Sequence, residues 1–489
     1  MEKNVQWPLL VFGTSEPAQN RRIRQARGRG ELREIAPRIY SPDLTTAPDV
    51  LVRKNWLPIV QHLFPGAIIS HRSQLEGQPS SEGHLFLTYT YTRNIELPGL
   101  TVHLLEGPGP LPSDAPFGGG EILFASEARG MLENLQPSRV RKGGVSKTLP
   151  VETVEERLEM VLRVRGEDGL NALRDQAREV ATALNWPEEL AALQRIVGAL
   201  LSTHSIKVLS SPVARARALG LPFDASRVAL FTTLASALRT TALPVRPDPA
   251  PVAPPFYTVA FFEAYFSNFI EGTVFQVDEA HRIVETGQIV GGRHADSHDV
   301  LSTYQLCSNG AEMSVLPRSA EELLAILQRR HSQLMRARPD KRPGQWKEYA
   351  NQAGLTSFVE PELVRGTLHE GFKLYQSLHE PLARAMFMMF LISEVHPFDD
   401  GNGRLARLMM NAELVSTGQC RIIITTRARE AYLDALRRLS RQTDPGLYIR
   451  MLSGAQQFVA GLQVSSYEGV KQQLEAQDAF TEVSSQLRW

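Results

Sequence analysis

Cysteine is nearly absent from this sequence, which contains only Cys307 and Cys420, each isolated from the other. Two isolated cysteines form neither a paired-cysteine metal site nor a disulfide framework, so a reducing compartment fits best. An excess of charge is also lacking, because Lys plus Arg and Asp plus Glu both number 53. No global field therefore attracts the chain to nucleic acid or to an anionic membrane, and any such attraction must be local.

Long apolar runs are lacking as well. The most apolar stretch, from Ala385 to Val395, is about half as long as a bilayer-spanning helix and is flanked by Arg384 and His396, so it predicts a buried helix. The first residues, Met1 to Asn4, do not begin the basic and then apolar pattern of a secretory signal. The expectation is a cytoplasmic protein with no membrane partner.

The regional composition predicts a mainly α protein with an α+β N-terminal part. At 489 residues the chain is long enough for two or three domains. Short β-rich runs alternate with turns over residues 1–135, and helical periodicity then dominates residues 136–242. Residues 243–255 carry too many prolines for a helix and predict an extended connector. Helical patterns return over residues 256–489, which we expect to form the last domain.

One segment is locally basic. From Gln19 to Arg38 the chain carries seven arginines against only Glu31 and Glu34. Arginines at helical spacing could contact a DNA backbone, and a solvated face or a docking patch for the rest of the chain are the alternatives. The run from Gly30 to Tyr40 is similar to the end of a winged-helix unit in antitoxin-like regulators. That resemblance implies a winged-helix-like N-terminal domain, with DNA contacts through the Arg21 to Arg38 region.

The chemistry is concentrated in the twelve residues from His396 to Arg407, which read HPFDDGNGRLAR. This segment joins one apolar helix to another, predicted over Leu405 to Val415. Gly401 and Gly403 let backbone N–H groups approach an anion at the start of the second helix, where unpaired amides and the helix dipole both favour negative charge. A phosphate group is the natural ligand of such a loop.

The side chains of the same segment suit a nucleotide. Arg404 and Arg407 are three residues apart and so share a helical face, where two guanidinium groups could hold a polyphosphate. Asp400 could bind a magnesium ion that bridges phosphate oxygens. His396 is the nearby group whose ordinary titration suits proton removal near neutral pH.

The segment resembles the signature His-x-Phe-x-Asp/Glu-Gly-Asn-Gly-Arg-x-x-Arg of the Fic (Fido) family and matches every specified position. The resemblance implies an all-α core with a small β-hairpin, and a protein adenylyltransferase that uses ATP and Mg2+. His396 would deprotonate a Ser, Thr or Tyr hydroxyl of a target protein, which attacks the α-phosphorus. Gly403 favours adenylyl transfer, because family members that phosphorylate proteins resemble this motif but carry lysine there.

The resemblance also assigns roles within the loop. Asp400 would ligate magnesium, while Asn402 and the amides around Gly401 would hold the α-phosphate. Arg404 and Arg407 would bind the β- and γ-phosphates. These residues together form the predicted nucleotide site.

Two features outside the motif extend the resemblance over roughly residues 256–460. Trp346 to Val359 lies where the family has a hairpin, the flap, that holds the target by strand pairing. Tyr432 follows His396 by thirty-six residues, where the family places an aromatic against adenine, and a half-buried helix tyrosine is the alternative. Ser440 stands where related proteins often have asparagine, which departs from the family pattern.

A regulatory motif precedes the catalytic one. Ser267 to Gly272, read SNFIEG, matches the Ser/Thr-x-x-x-Glu-Gly/Asn motif that the family uses for self-inhibition, and predicts an inhibitory helix near residues 260–272. A carboxylate at Glu271 would compete with the γ-phosphate for Arg407. The alternative is an exposed helix that ends at Gly272.

Two other functions stay open from the sequence. The chain could act mainly as a regulator, a toxin–antitoxin-like DNA-binding switch with a quiet Fic site. It could also remove AMP from a target, with Glu271 aligning a water molecule. The target protein, the signal that relieves inhibition and the existence of a homo-oligomer are not specified by the sequence.

Overall fold

The structure of this protein is a computed structural model that describes residues 7–139 and 144–482. Two compact units divide the chain, Met1–Ala218 and Leu219–Trp489. Met1 to Asn4, which do not begin the pattern of a secretory signal, lie outside the described residues. Within the described ranges, no helix combines the length and the apolar character that a membrane span requires.

The first unit begins with a small helix-and-sheet element and continues into a larger sheet. Its elements in chain order are β1 (Val11–Phe12), α1 (Pro17–Gly28), β2 (Arg33–Ala36), β3 (Ile39–Ser41), α2 (Pro48–Lys54), α3 (Trp56–Leu63), β4 (Ile68–Ile69), α4 (His71–Glu76), β5 (His84–Tyr89), β6 (Arg93–Leu97), β7 (Leu100–Glu106), β8 (Ala115–Pro116) and β9 (Leu123–Phe124). The small sheet has the strand order β1-β3-β2, and the larger one β6-β7-β5-β4-β9-β8.

Helices complete the first unit. They are α5 (Glu127–Asn134), α6 (Val151–Leu184), α7 (Pro187–Leu200) and α8 (Pro212–Ala218), with a 3-10 turn at Ile206–Val208. Helix α6 is interrupted at Gly166, where φ is 70°. These helices bury the apolar side of their 3.6-residue repeat in one core, and the β5 to β7 strands bury alternate residues in another.

The second unit is helical apart from one hairpin. Its elements are α9 (Ala225–Thr240), α10 (Pro255–Ile270), α11 (Val277–Thr286), α12 (His294–Cys307), α13 (Gly310–Met313), α14 (Ala320–Leu334), β10 (Gln352–Ala353), β11 (Thr356–Ser357), α15 (Val364–Gln376), α16 (Pro381–Val395), α17 (Asn402–Val415), α18 (Arg429–Gln442), α19 (Gly446–Ala460) and α20 (Tyr467–Ala476), with 3-10 turns at Pro339–Lys341 and Pro361–Leu363. The predicted class, mainly α with an α+β N-terminal part, is confirmed.

The apolar stretch near residue 390 forms the centre of the second unit. Helix α16 buries residues on all sides, from Leu382 to Val395, and packs along α17. A helix that is apolar all round is stable only inside a protein or a membrane, and here its neighbours are other helices. The burial of α16 places the loop that follows it, and therefore the motif residues, at the edge of a rigid core.

The boundary between the two units falls after Ala218. Helix α9 belongs to the second unit, where Phe231 packs against Phe387 and Phe390. The proline-rich 243–255 stretch lies against the same unit, since Arg246 O accepts from Cys420 N at 2.8 Å. Proline content predicts an extended chain but not whether that chain packs against a neighbouring surface.

Candidate active site

The loop between α16 and α17 holds the motif. His396 caps the C-terminus of α16 with φ of 52°, a left-handed conformation that is uncommon for a residue with a side chain. The next helix begins at Asn402, after Gly401 with φ of 75°. The chain thus turns sharply between two buried helices, and the N-terminal amides of α17 come close to the histidine.

His396 is held on two sides. Its Nδ1 lies 3.2 Å from the Ser393 carbonyl oxygen, and because a carbonyl only accepts, Nδ1 carries the proton and Nε2 is left as the basic nitrogen. The ring stacks on Phe358, with centroids 3.8 Å apart. Burial lowers the pKa of His396 to about 4, so the imidazole is neutral at physiological pH.

The loop is shaped by Asn402. Its amide group donates to Phe398 O at 2.8 Å and its side-chain oxygen accepts from Phe398 N at 2.9 Å. The side chain therefore ties the first turn of α17 to the loop, whereas the sequence analysis assigned it to the α-phosphate. An Asn402 that fixes the loop still presents the backbone amides of the helix start to a ligand.

Asp400 is partly exposed beside this turn, and its Oδ1 accepts from Gly401 N at 2.6 Å. A buried histidine on α14 holds its backbone: His331 Nδ1 accepts from Gly344 N at 2.9 Å, so Nε2 donates to Asp400 O, also at 2.9 Å. Burial lowers the pKa of His331 to about 4, which keeps this bridging imidazole neutral.

Glu271 and Arg407 form an ion pair inside the site. Glu271 Oε1 accepts from an Arg407 terminal nitrogen at 2.7 Å, and Arg407 also donates to Ser267 Oγ at 3.0 Å and Ser267 O at 2.8 Å. Burial alone would lower the pKa of Arg407, but the charge of Glu271 outweighs it and the pKa is raised. The predicted motif residues Ser267 and Glu271 thus both contact the predicted phosphate-binding arginine.

The SNFIEG segment forms a helix end that is mostly buried, with Ser267, Asn268 and Ile270 all inside, so the alternative of an exposed helix is wrong. Helix α10 ends at Ile270, Glu271 is its C-terminal cap and Gly272 has φ of 89°, so the segment is a helix end. The same ending directs the Glu271 carboxylate to the first turn of α17. A Cβ atom added at Gly403 would lie 2.2 Å from Glu271 Oε1, which shows how closely the carboxylate approaches the helix start.

Arg404 has a different environment from Arg407. It is buried, and a terminal nitrogen lies 2.9 Å from Asp299 Oδ2 on α12, while Met335 Sδ lies 3.2 Å away. The sequence analysis assigned both arginines to one phosphate clamp. The two residues do share a helical face, but in the structure a buried carboxylate already neutralises Arg404.

The predicted flap contains the hairpin β10–β11, with Gly354 and Leu355 in its turn. Its base is attached to the motif loop, because Lys347 N donates to Pro397 O at 3.0 Å and Asn351 Nδ2 donates to Phe398 O at 3.0 Å. Burial lowers the pKa of Lys347 to about 8. The flap therefore has a fixed position relative to His396.

A cavity of about 400 Å3 connects these elements. Its lining includes Glu271, His396, Gly403, Arg407 and Tyr432 from the predicted site, together with flap residues and the exposed side of α18. Asp400, Gly401, Asn402 and Arg404 do not line it. Tyr432 is buried, burial raises the pKa of its hydroxyl, and Arg407 opposes that shift.

Ser440 also lines the cavity, and its hydroxyl donates to Glu394 Oε1 at 2.8 Å. Four further residues near the site were not predicted from the sequence. Asp299 and His331 contact Arg404 and Asp400 of the motif, Arg227 contacts Ser357 of the flap, and Glu394 contacts Arg227 and Ser440. The contacts of His331, Asp299 and Arg227 with the motif and the flap join residues between 69 and 130 positions apart. No local pattern marks such residues, because each is a single polar side chain in an otherwise ordinary helix.

The donor groups present fit a magnesium ion that is shared with a nucleotide. Magnesium keeps several waters and binds proteins through one or two carboxylates together with substrate phosphates. Asp400 is a partly exposed carboxylate next to the helix start, while a site made of three or more His, Cys, Asp or Glu side chains does not occur among residues 7–139 and 144–482. Asp400 can serve as the single protein carboxylate of such a site.

A neutral histidine, an arginine and the first turn of α17 border one cavity of the helical second unit, an arrangement that suits an anionic ligand. Residues 322–414 match the family model described as "Fic/DOC family". The second unit therefore contains a segment that is similar to the Fic/DOC family.

Curated relatives share this region. Protein adenylyltransferase Fic of Drosophila virilis is 25% identical over 223 residues, which cover 43% of this chain and 45% of the relative. Protein adenylyltransferase fic-1 of Caenorhabditis elegans is 25% identical over 182 residues, 36% of each chain. The chain thus spans less than half the length of these relatives, which support transferase activity at the level of the family.

Solved structures are similar at lower identity. A Fic domain containing signaling protein from Bacteroides thetaiotaomicron is 17% identical with a TM-score of 0.38, covering 50% of this chain and 97% of that one. Fic-1 from C. elegans is 16% identical with a TM-score of 0.36, covering 67% of this chain and 94% of that one.

Proposed function

We propose that this protein transfers AMP from ATP to a Ser, Thr or Tyr hydroxyl of a target protein, and that Glu271 inhibits the reaction. The observation that carries the proposal is the Glu271–Arg407 ion pair, 2.7 Å long, in the cavity that also contains His396. One cavity thus combines a base, an anion site and a carboxylate that competes for that anion site.

His396 is the proposed general base. Its Nε2 takes the proton of the target hydroxyl as the hydroxyl oxygen forms a bond to the α-phosphorus and the bond to the β-phosphate bridging oxygen breaks. Pyrophosphate leaves with the electron pair of the broken bond. Negative charge on a bound triphosphate would raise the pKa of His396 from about 4 toward the working pH, which makes it a better base.

The phosphates would lie at the start of α17. The backbone amides that follow Gly401 have no partners within the helix, and Gly403 has no side chain to obstruct an oxygen atom. Arg407 supplies the positive charge for the terminal phosphate. Arg404 is paired with Asp299, which neutralises its charge. Its role in binding phosphate is therefore weaker than that of Arg407.

Asp400 would hold Mg2+ with the phosphates. When bound, the ion neutralises charge that develops on the leaving pyrophosphate. The Asp400 backbone is fixed by His331, which keeps the carboxylate beside the turn. The proposed cofactor set is therefore ATP and Mg2+.

In this proposal, inhibition results from competition between Glu271 and the γ-phosphate of ATP for Arg407. Only one anion can occupy the guanidinium face toward Gly403, and Glu271 is there in the structure. ATP that binds while Glu271 keeps this position has its γ-phosphate displaced, so the α-phosphate is not aligned with the hydroxyl oxygen. Autoinhibition is thus a competition within the site.

The experiment that tests this function compares wild type with Glu271→Gly in the presence of α-labelled ATP, magnesium and a cell lysate. We expect label on protein, much stronger in the variant. Glu271→Gly/His396→Ala is the matched control, because it lacks the proposed base and keeps the opened site. Equal label in that control would contradict the proposal.

A second function, DNA binding by the first unit, is favoured by one observation. The α1 arginines Arg21, Arg22, Arg24 and Arg27 are exposed, while Ile23 and Ala26 of the same helix are buried. A basic exposed face suits a phosphate backbone. Binding of a labelled duplex that weakens steeply with salt, and weakens further in Arg21→Gln/Arg24→Gln, would support it, and no salt-dependent binding would exclude it.

A further inference from the structure

Lys347 is a buried amine at the base of the flap, with 3% of its surface exposed. Its Nζ donates to Asn351 Oδ1 at 2.7 Å and to Val395 O at 3.4 Å. Both acceptors are neutral oxygens, which compensate a buried ammonium charge less well than a carboxylate does. Burial lowers the pKa of Lys347 to about 8, so the amine is still mainly charged at neutral pH. Perturbed buried groups of this kind are concentrated at functional sites.

Lys347 binds the chain on both sides of His396. Its Nζ donates to the carbonyl oxygen of Val395, the preceding residue. Its backbone N–H donates to the carbonyl oxygen of Pro397, the following residue, at 3.0 Å. His396 itself has φ of 52°, a left-handed conformation that a residue with a side chain keeps only when its surroundings fix it. The two hydrogen bonds from Lys347 supply such a constraint on the backbone that carries the proposed base.

The support of the imidazole ring is connected to the same lysine. Asn351 accepts from Lys347 Nζ and donates through Nδ2 to Phe398 O at 3.0 Å. Its backbone oxygen accepts from Phe358 N at 3.1 Å, and Phe358 stacks on His396, with ring centroids 3.8 Å apart. Lys347 therefore contacts the backbone beside the base directly and reaches the stacking partner of the ring through one residue.

The charge of Lys347 acts on the same imidazole. Burial is the largest cause of the lowered pKa of His396, and Lys347 lowers it further, whereas Glu271 of α10 and Asp400 of the motif loop raise it. A bound triphosphate would add negative charge and raise this pKa again. Lys347 opposes these anions and so favours the neutral imidazole, which is the form that can accept a proton.

Other charged groups line the cavity from the remaining helices. Arg407 of α17 is paired with Glu271, and Glu394 of α16 is paired with Arg227 of α9, so each pair is close to neutral. Helix α18 contributes a buried, uncharged tyrosine and two exposed arginines, Tyr432, Arg437 and Arg441. Solvent screens the exposed arginines, whereas Lys347 is a buried cation that binds neutral acceptors.

We propose that Lys347 is a positioning residue for the general base, which fixes the backbone on both sides of His396 and favours its neutral imidazole through the charge of the amine. This inference rests on the proposed function, because it assigns Lys347 to the same reaction. Lys347 itself exchanges no proton or group with a substrate. The alternative is a purely structural lysine that ties the flap to the motif loop.

The first test measures, against pH, the transfer of label from α-labelled ATP to the lysate protein that a Glu271→Gly parent modifies. Lys347→Met in this parent keeps the backbone N–H and the length of the side chain but removes the amine. We expect the rate at saturating ATP to fall about tenfold or more, and KM for ATP to stay within about threefold, since Lys347 does not line the cavity. The acid limb of the rate profile should move to higher pH, because loss of a nearby positive charge raises the pKa of His396.

Three matched variants separate the charge of Lys347 from its hydrogen bonds. Lys347→Arg keeps a charge and should keep the acid limb of the parent. Asn351→Ala keeps the lysine but removes one of its acceptors, and should lower the rate without moving the acid limb. Lys341→Met, at a surface lysine 3.7 Å from Asp340, should change neither. A purely structural lysine would lower the rate in Lys347→Met and leave the acid limb in place, a result that overturns the proposal.

The second test does not require AMP transfer. NMR titration of the histidine rings in the ligand-free protein, with the His396 signal assigned by its loss in His396→Gln, measures the pKa of the base directly. In Lys347→Met this signal should titrate at higher pH than in the parent and in Lys347→Arg. An unchanged titration in a folded Lys347→Met protein overturns the inference. Absence of label from the Glu271→Gly parent would instead contradict AMP transfer itself, and the titration would still decide the role of Lys347.

Discussion

The carboxylate of Glu271 lies 2.7 Å from the guanidinium of Arg407, although 136 residues separate the two in the chain. Arg407 is 5% exposed and Glu271 29%, so the arginine is confined while the glutamate borders the cavity. A partly exposed carboxylate on a buried cation suits the proposed inhibition, because a competing anion would need to displace only the glutamate. Under the proposed inhibition, we expect release to displace Glu271 and to leave α17 in place.

Removing Glu271 should activate the enzyme. A charge-assisted pair contributes about 2 to 3 kcal/mol, so Glu271→Gly should increase labelling by roughly thirtyfold or more. The measurement is incorporation of α-labelled AMP with time. Glu271→Gly/Arg407→Ala should label weakly, because the γ-phosphate then lacks its cation. Wild-type labelling in a folded Glu271→Gly protein would mean that Ser267 to Gly272 is only a helix end.

Loss of His396 should separate binding from chemistry. In a Glu271→Gly background, His396→Ala should reduce AMP transfer by about a hundredfold or more, since a general base contributes on the order of 10²- to 10⁴-fold. Its ATP affinity should stay close to that of the parent, because Nε2 acts on the hydroxyl and not on the triphosphate. Rapid transfer by a folded His396→Ala protein would assign the base to another group.

Transfer should depend on a divalent cation and on Asp400. Loss of metal stabilisation of the leaving pyrophosphate amounts to several kcal/mol, so Asp400→Ala or excess chelator should reduce turnover by about a hundredfold or more. Asp399→Ala is the matched control, since Asp399 instead lies 3.0 Å from Arg342. Undiminished activity in chelator would remove the metal from the mechanism.

Acid should destabilise this protein through its buried histidines. Burial lowers the pKa of His331 and of His396 from 6.5 to about 4, so the unfolded chain binds more protons than the folded one between these values. The free energy of unfolding should therefore fall as the pH falls from about 6.5 to about 4. Urea unfolding at pH 7 and pH 5 measures this loss, which should be smaller in His331→Gln. An equal loss in that variant would exclude His331 as a contributor.

The motif could be interpreted from sequence because its chemistry is local. His396, Asp400, Gly401 and Asn402 lie within seven consecutive residues, and a turn between two helices brings them together in any fold that contains both helices. The apolar run before the motif likewise predicted a buried helix, and α16 is buried on all sides. The geometry of such a short segment follows from its own backbone conformation and does not depend on how the other helices pack.

The sequence by itself predicted a base at His396, a phosphate-binding loop after it and a carboxylate, Glu271, that could compete with ATP, and these roles stay predictions. Only the tertiary structure decided that Glu271 contacts Arg407, that Asp299 holds Arg404, and that Arg227 contacts Ser357 of the flap. These contacts join residues more than 100 positions apart, and they depend on how α9, α10 and α12 pack around α16 and α17. Helix packing is set by the summed burial of many side chains, so no single motif encodes it.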